Sequence, residues 1–189
     1  ALDVGGTTVY ANYASGSGTS ALVFTYTIAA NQTDPNGISI AANSLALNNG
    51  TIADPAGNAA TLTHAAVTDN GSYLVDTTSP TVSTVAITSA TGAQNSTLNA
   101  GDVVSVTVTM SEAVTVTGTP QVALDVGGTT VYANYASGSG TSALVFTYTI
   151  AANQTDPNGI SIAANSLGLN GGTIADPAGN AATLTHAAV

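Results

Sequence analysis

The stretch Val104-Ser105-Val106-Thr107-Val108-Thr109-Met110 places apolar side chains at every second position and hydroxyls between them. A period of two with β-branched enrichment marks a strand with one buried and one wet face. Leu144, Phe146, Tyr148 and Ile150 repeat the pattern, with Val145, Thr147 and Thr149 opposite. Between these segments, Val122–Val126 and Thr130–Tyr135 flank Gly127-Gly128, a dipeptide that supplies the positive φ angles of a tight hairpin. Tyr132 and Tyr135 have opposite parity, so one of them faces solvent. Further strands are expected at 81–88, 159–164 and 181–187. No segment carries a convincing amphipathic-helix pattern. About seven short strands with regular turn signals predict an all-β, immunoglobulin-like β-sandwich.

The pattern occurs twice. Residues 1–67 return as 123–189 with two changes, Ala46 to Gly168 and Asn49 to Gly171, a period of 122 residues. That period is too long for a solenoid turn and matches a whole domain. The strongest linker signal is Asp76-Thr77-Thr78-Ser79-Pro80, where Pro80 cannot donate to a sheet and holds Ser79 extended. The expected domains are 1–75, an immunoglobulin-like repeat lacking its opening strands, and 76–189, a nearly complete one. The chain then represents a window on a tandem array, or neighbouring chains complete the first domain.

Composition narrows the function. The chain has 10 acidic residues and no Lys or Arg. Nucleic acid and anionic membrane surfaces are poor partners for it, and a phosphate-binding P-loop lacks its lysine. Without lysine, Lys–Asn isopeptide crosslinks are excluded as well. The absence of Cys excludes disulfides and thiolate metal sites. No apolar run approaches membrane-helix length. Each full repeat holds one histidine (His64, His186), but its serines sit in loops without a nucleophile-elbow motif. Tandem duplication of a catalytic domain almost unchanged is also unusual, so an enzyme is not expected. The turn sequences around Asp34 and Asp69 are read as ordinary Asx-type turns. The Asn-x-Ser/Thr sequons are attributed to composition, and that at Asn49 vanishes at Gly171.

The linker DTTSPTV (76–82), the segment SEAVTVTG (111–118) and the loop DPAGN (54–58 and 176–180) resemble the bacterial immunoglobulin-like tandem repeats of giant secreted RTX-type adhesins. The glycine-rich calcium nonapeptides found elsewhere in such adhesins do not occur here. The resemblance implies a structural extender repeat at the bacterial cell surface, active in cell adhesion and biofilm, with calcium stiffening the domain junctions. Its partners would be neighbouring identical repeats of the same chain.

Sandwich topology alone leads to the same cation. The second strand ends near Glu112, which places it in the following loop at the N-terminal pole. Asp176 and Asn180 fall in the last inter-strand loop at that pole, and Asp76 lies in the linker entering it. With no basic side chain present, such a cluster repels itself unless a hard cation binds, and oxygen ligands suit Ca²⁺. The candidate metal ligands are Asp76, Glu112, Asp176 and Asn180, with Asp69 closing the site from the preceding domain. Asp54 and Asn58 are the equivalents in the first domain. Two alternatives remain. One is an extracellular filament or sheath of identical chains joined by lateral or strand-exchange contacts, because uncharged strand edges invite pairing. The other is a glycan-binding module.

Overall fold

The computed structural model describes all 189 residues, and the chain is entirely β-strand, turn and loop. It divides into two units, Ala1–Thr78 and Ser79–Val189.

The first unit contains six short strands: β1 (Leu2–Val4), β2 (Thr7–Val9), β3 (Asn12–Ser15), β4 (Val23–Thr25), β5 (Thr33–Asp34) and β6 (Val75–Asp76). They pair antiparallel as three separate two-stranded ladders, β1–β2, β3–β4 and β5–β6. Val4 and Val75 are its only buried apolar side chains. Asp34, read as a turn former, proves to be buried. Its carboxylate accepts hydrogen bonds from Gly5 N at 2.9 Å and Gly37 N at 2.9 Å. It therefore clasps the β1–β2 turn to its own turn, 29 residues away in sequence.

The second unit contains β7 (Val82–Thr91), β8 (Val103–Thr117), β9 (Gln121–Val126), β10 (Thr129–Ser137), β11 (Thr141–Thr149), β12 (Leu167–Gly168) and β13 (Thr173–Ala175). They form one antiparallel sheet in the order β12-β9-β10-β11-β8-β13, with β7 also paired to β8. Val104, Val106, Val108 and Met110 of β8 are all buried, as their alternation requires. Leu144 and Phe146 on β11 and Val122 and Leu124 on β9 join Val106, Val108 and Met110 in one core, closed by Ile162, Leu167 and Ile174. The sheet curls so that strands from its middle and both ends share this interior. Tyr135 packs edge-to-face on Phe146 with ring centroids 5.8 Å apart, while Tyr132 points outward.

The β9–β10 hairpin turns on Gly127 and Gly128 at φ +60° and +82°. Both angles lie in the left-handed region, which fits a type I′ turn. A Cβ on Gly127 would run into the Thr155 carbonyl, so this position needs glycine for space as well as for angle.

Two expected strands do not form. Within 159–164 only Ser161 bridges, to Asp125, and within 181–187 only Ala181 and Thr183 bridge, to Ala175 and Thr81. These segments bury alternate side chains, among them Ile162, but lack a continuous neighbour for a ladder. Ile162 and Val189 instead exchange a single pair of backbone hydrogen bonds, at 2.9 and 2.8 Å.

Candidate cation site

β8 is a long strand because Val103 to Thr117 alternates almost without a break, and it bends where the alternation meets polar residues. Against β11, Thr109 faces Ala143 and Val114 faces Thr141, so five steps along β8 match two along β11. The excess is taken up between Met110 and Val114, and Glu112 sits there. This corrects the sequence-based placement. Glu112 lies inside the strand, at its bend, rather than in a loop beyond it. Its parity is that of Met110 and Val114, and it is half-buried. The strand continues past the one glutamate because Val114 and Val116 resume the apolar face.

The entry segment of the second unit is fastened to the same bend. Ser111 N donates to Thr81 O at 2.8 Å, and Thr81 N donates to Ser111 Oγ at 3.0 Å. Thr183 N donates to Pro80 O at 2.8 Å. This brings the bulged middle of β8, the Pro80 entry and the segment after β13 together.

Asp176 follows β13 in a five-residue turn. Its Oδ1 accepts Asn180 N at 2.8 Å, and its Oδ2 accepts the Asn180 side-chain amide at 2.7 Å. The turn is closed by Asp176 N donating to Asn180 O and Gly179 N donating to Asp176 O, both at 3.1 Å. Asp176 is buried, and its carboxylate lies within 4.8 Å of that of Glu112. Burial raises its pKa, but hydrogen bonds from Asn180, Gly179 and Ala178 together outweigh that effect and hold it below the usual carboxylate value. Asp176 is thus a carboxylate, not a carboxylic acid, beside Glu112, with no lysine or arginine anywhere in the chain to balance the pair.

The copy in the first unit repeats the turn without the partner. Asp54 accepts Asn58 N at 2.8 Å and the Asn58 amide at 2.8 Å, but both residues are exposed. Bonds from the Asn58 side chain and backbone lower the Asp54 pKa. Asp76 ends β6, where it pairs with Thr33, and its Oδ1 accepts Thr78 N at 2.9 Å. It belongs to the first unit, three residues before Ser79 opens the second. Asp69 is exposed just before the Asn70–Tyr73 turn. Asp54 and Asp176 thus each close a local turn. What sequence periodicity did not reveal is that Glu112, on an adjacent strand, comes to face the second of these turns.

The histidines are held by the backbone. His186 Nε2 accepts Ser166 N at 2.9 Å and Leu167 N at 3.3 Å, and Nδ1 faces Ala187 O at 2.7 Å. With Nε2 accepting, the network assigns the proton to Nδ1, which donates to that carbonyl. Ser166 Oγ stands 3.4 Å from Nε2, but a main-chain carbonyl occupies the place where a triad would put its carboxylate. His64 repeats the arrangement with Ser44, Leu45 and Ala65.

The low carboxylate pKa values set an acid limit. Asp34, Asp54 and Asp176 all titrate below their usual value when folded. The unfolded chain therefore takes up protons first as pH falls. Their stabilisation is complete above about pH 5 and is lost as pH drops through the folded values. Thermal melts at pH 6, 4 and 3 are expected to show a falling midpoint below about pH 4. A midpoint constant down to pH 3 would contradict the assigned hydrogen bonds.

The chain matches no family model, no curated protein and no solved structure.

Proposed function

We propose that the chain is part of a tandem array of seven-stranded, immunoglobulin-like sandwiches that serves as a non-catalytic spacer in an extracellular bacterial adhesin. The observation that carries this is duplication of sequence together with local structure. The two copies repeat not only 65 of 67 residues but also their individual hydrogen bonds: Asp54–Asn58 with Asp176–Asn180, and His64–Ser44 with His186–Ser166. Tyr13 and Tyr135 likewise accept Ser17 N and Ser139 N at 2.8 and 2.7 Å. Selection for a recognition site favours divergence between copies, whereas selection for reach tolerates near-identity. The bent, curled sheet of the second unit supports the sandwich.

In this proposal Glu112 and Asp176, whose carboxylate oxygens lie within 4.8 Å of one another, bind Ca²⁺. The donor set fits a hard cation: carboxylate oxygens, with Asn180 orienting one of them and no nitrogen or sulfur ligand. Binding there would neutralise the pair. The residues' own contribution is to hold oxygens in place: β8 fixes Glu112 and the Asn180 turn fixes Asp176.

Length is the property to test. In calcium, arrays of two, four and eight repeats studied by small-angle scattering are expected to lengthen by a constant increment of roughly 30–40 Å per repeat. A maximum dimension that stops growing with copy number would contradict a spacer.

A further inference from the structure

An open groove of about 910 Å³ crosses the first unit, lined by Leu2, Tyr13, Phe24, Ile40, Leu45 and others. The same sequence forms the interior of the second unit. There Leu124, Phe146, Ile162 and Leu167 take the matching positions and are at most 5% exposed. The contrast is sharpest along one segment. Leu22, Phe24 and Ile28 are 36, 36 and 37% exposed, and their counterparts Leu144, Phe146 and Ile150 are 0, 0 and 7% exposed.

The difference is a cover. In the second unit, β7 and β8 put Val85, Val106 and Val108 into the core, and β8 pairs with β11 from Val103 to Thr109. In the first unit β4 pairs only with β3, so its other edge carries no ladder, beside the open apolar groove. Edge and groove together have the chemistry of a strand acceptor.

We infer that this face of the first unit is an acceptor for a β-hairpin of the sequence Thr81–Thr117, supplied by a further copy of segment 79–122. The repeat fixes the register. Leu22 would face Val108, Phe24 would face Val106 and Tyr26 would face Val104, as Leu144, Phe146 and Tyr148 do in the second unit. Exchange between copies of the 189-residue chain does not serve. Each chain holds one such hairpin and two faces that need one, so covering one face uncovers another. This inference rests on the repeat alone and is independent of any cation.

The chain has no cysteine, so a single introduced thiol reports on the face. The test compares Leu22→Cys in the 189-residue chain with Leu22→Cys in the same chain bearing a copy of residues 79–122 fused ahead of Ala1. Leu144→Cys serves as the buried reference. The thiol at position 22 is expected to react with a maleimide about 100-fold or more slowly in the fusion, approaching the reference. Val106→Asp with Val108→Asp in the added copy alone should restore fast reaction. Equal rates at position 22 with and without the added segment would overturn the inference. So would a thiol already protected in the unfused chain in a concentration-dependent way, since the face would then be covered by contact between copies.

Discussion

Phe146→Ala is expected to cost the second unit about 3–5 kcal/mol, while Phe24→Ala, the same change in the same local sequence, costs the first unit about 1 kcal/mol. Phe146 is fully buried between β8 and Tyr135, and its removal leaves a cavity that the flanking Val106, Leu144 and Leu124 cannot fill without distorting the sheet. Phe24 keeps its edge-to-face contact with Tyr13 at 5.9 Å but has solvent where β8 would be. For a unit of this size the larger loss lowers the midpoint by roughly 12–25 °C. Calorimetry resolves the two transitions. Equal shifts for the two substitutions would mean that both faces are covered alike in solution.

Glu112→Gln carries the second large effect, and its sign depends on calcium. The substitution keeps the shape of the side chain and its place at the β8 bend but removes one of two carboxylates lying within 4.8 Å. In excess EDTA it relieves a repulsion on the order of 1 kcal/mol, so the variant melts above the parent. With calcium it removes a charged ligand, so affinity falls about tenfold or more and the variant melts below the parent. Titration calorimetry with CaCl₂ gives the affinity, and paired melts give the crossing. A variant that binds calcium as tightly as the parent would remove Glu112 from the site. One that melts lower in both conditions would make Glu112 a purely structural residue.

The strands with a full neighbour were legible because alternation and ladder pairing coincide there: β8, β11 and the Gly127-Gly128 hairpin. The segments 159–164 and 181–187 show where the two part. Alternation reports which side chains are buried, and Ile162 is buried, but a ladder also needs a partner in register, which no local pattern encodes. Glu112 shows a different limit. A charged residue after a run of valines reads as the end of a strand, yet Val114 and Val116 keep the parity, and a bulge between Met110 and Val114 lets the strand turn. The facing of Glu112 and Asp176 joins residues 64 positions apart in the chain, so it was reachable only through the topology argument, and that argument placed Glu112 in a loop. The burial of Asp34 was not foreseen because Asp-Pro-Asn-Gly is a sufficient turn signal by itself. Its bond to Gly5 N is visible only in three dimensions.

The most direct test of the calcium-stiffened repeat is a thermal melt of the 189-residue chain in millimolar calcium and again in excess EDTA. The transition of the second unit is expected to rise with calcium, by about 2.7 kcal/mol when the free ion is 100 times its dissociation constant, which is roughly 10 °C for this unit. The Glu112→Gln variant should lose most of that rise. Coincident melts in calcium and EDTA would contradict the account, leaving Glu112 and Asp176 as a solvated pair beside an ordinary turn.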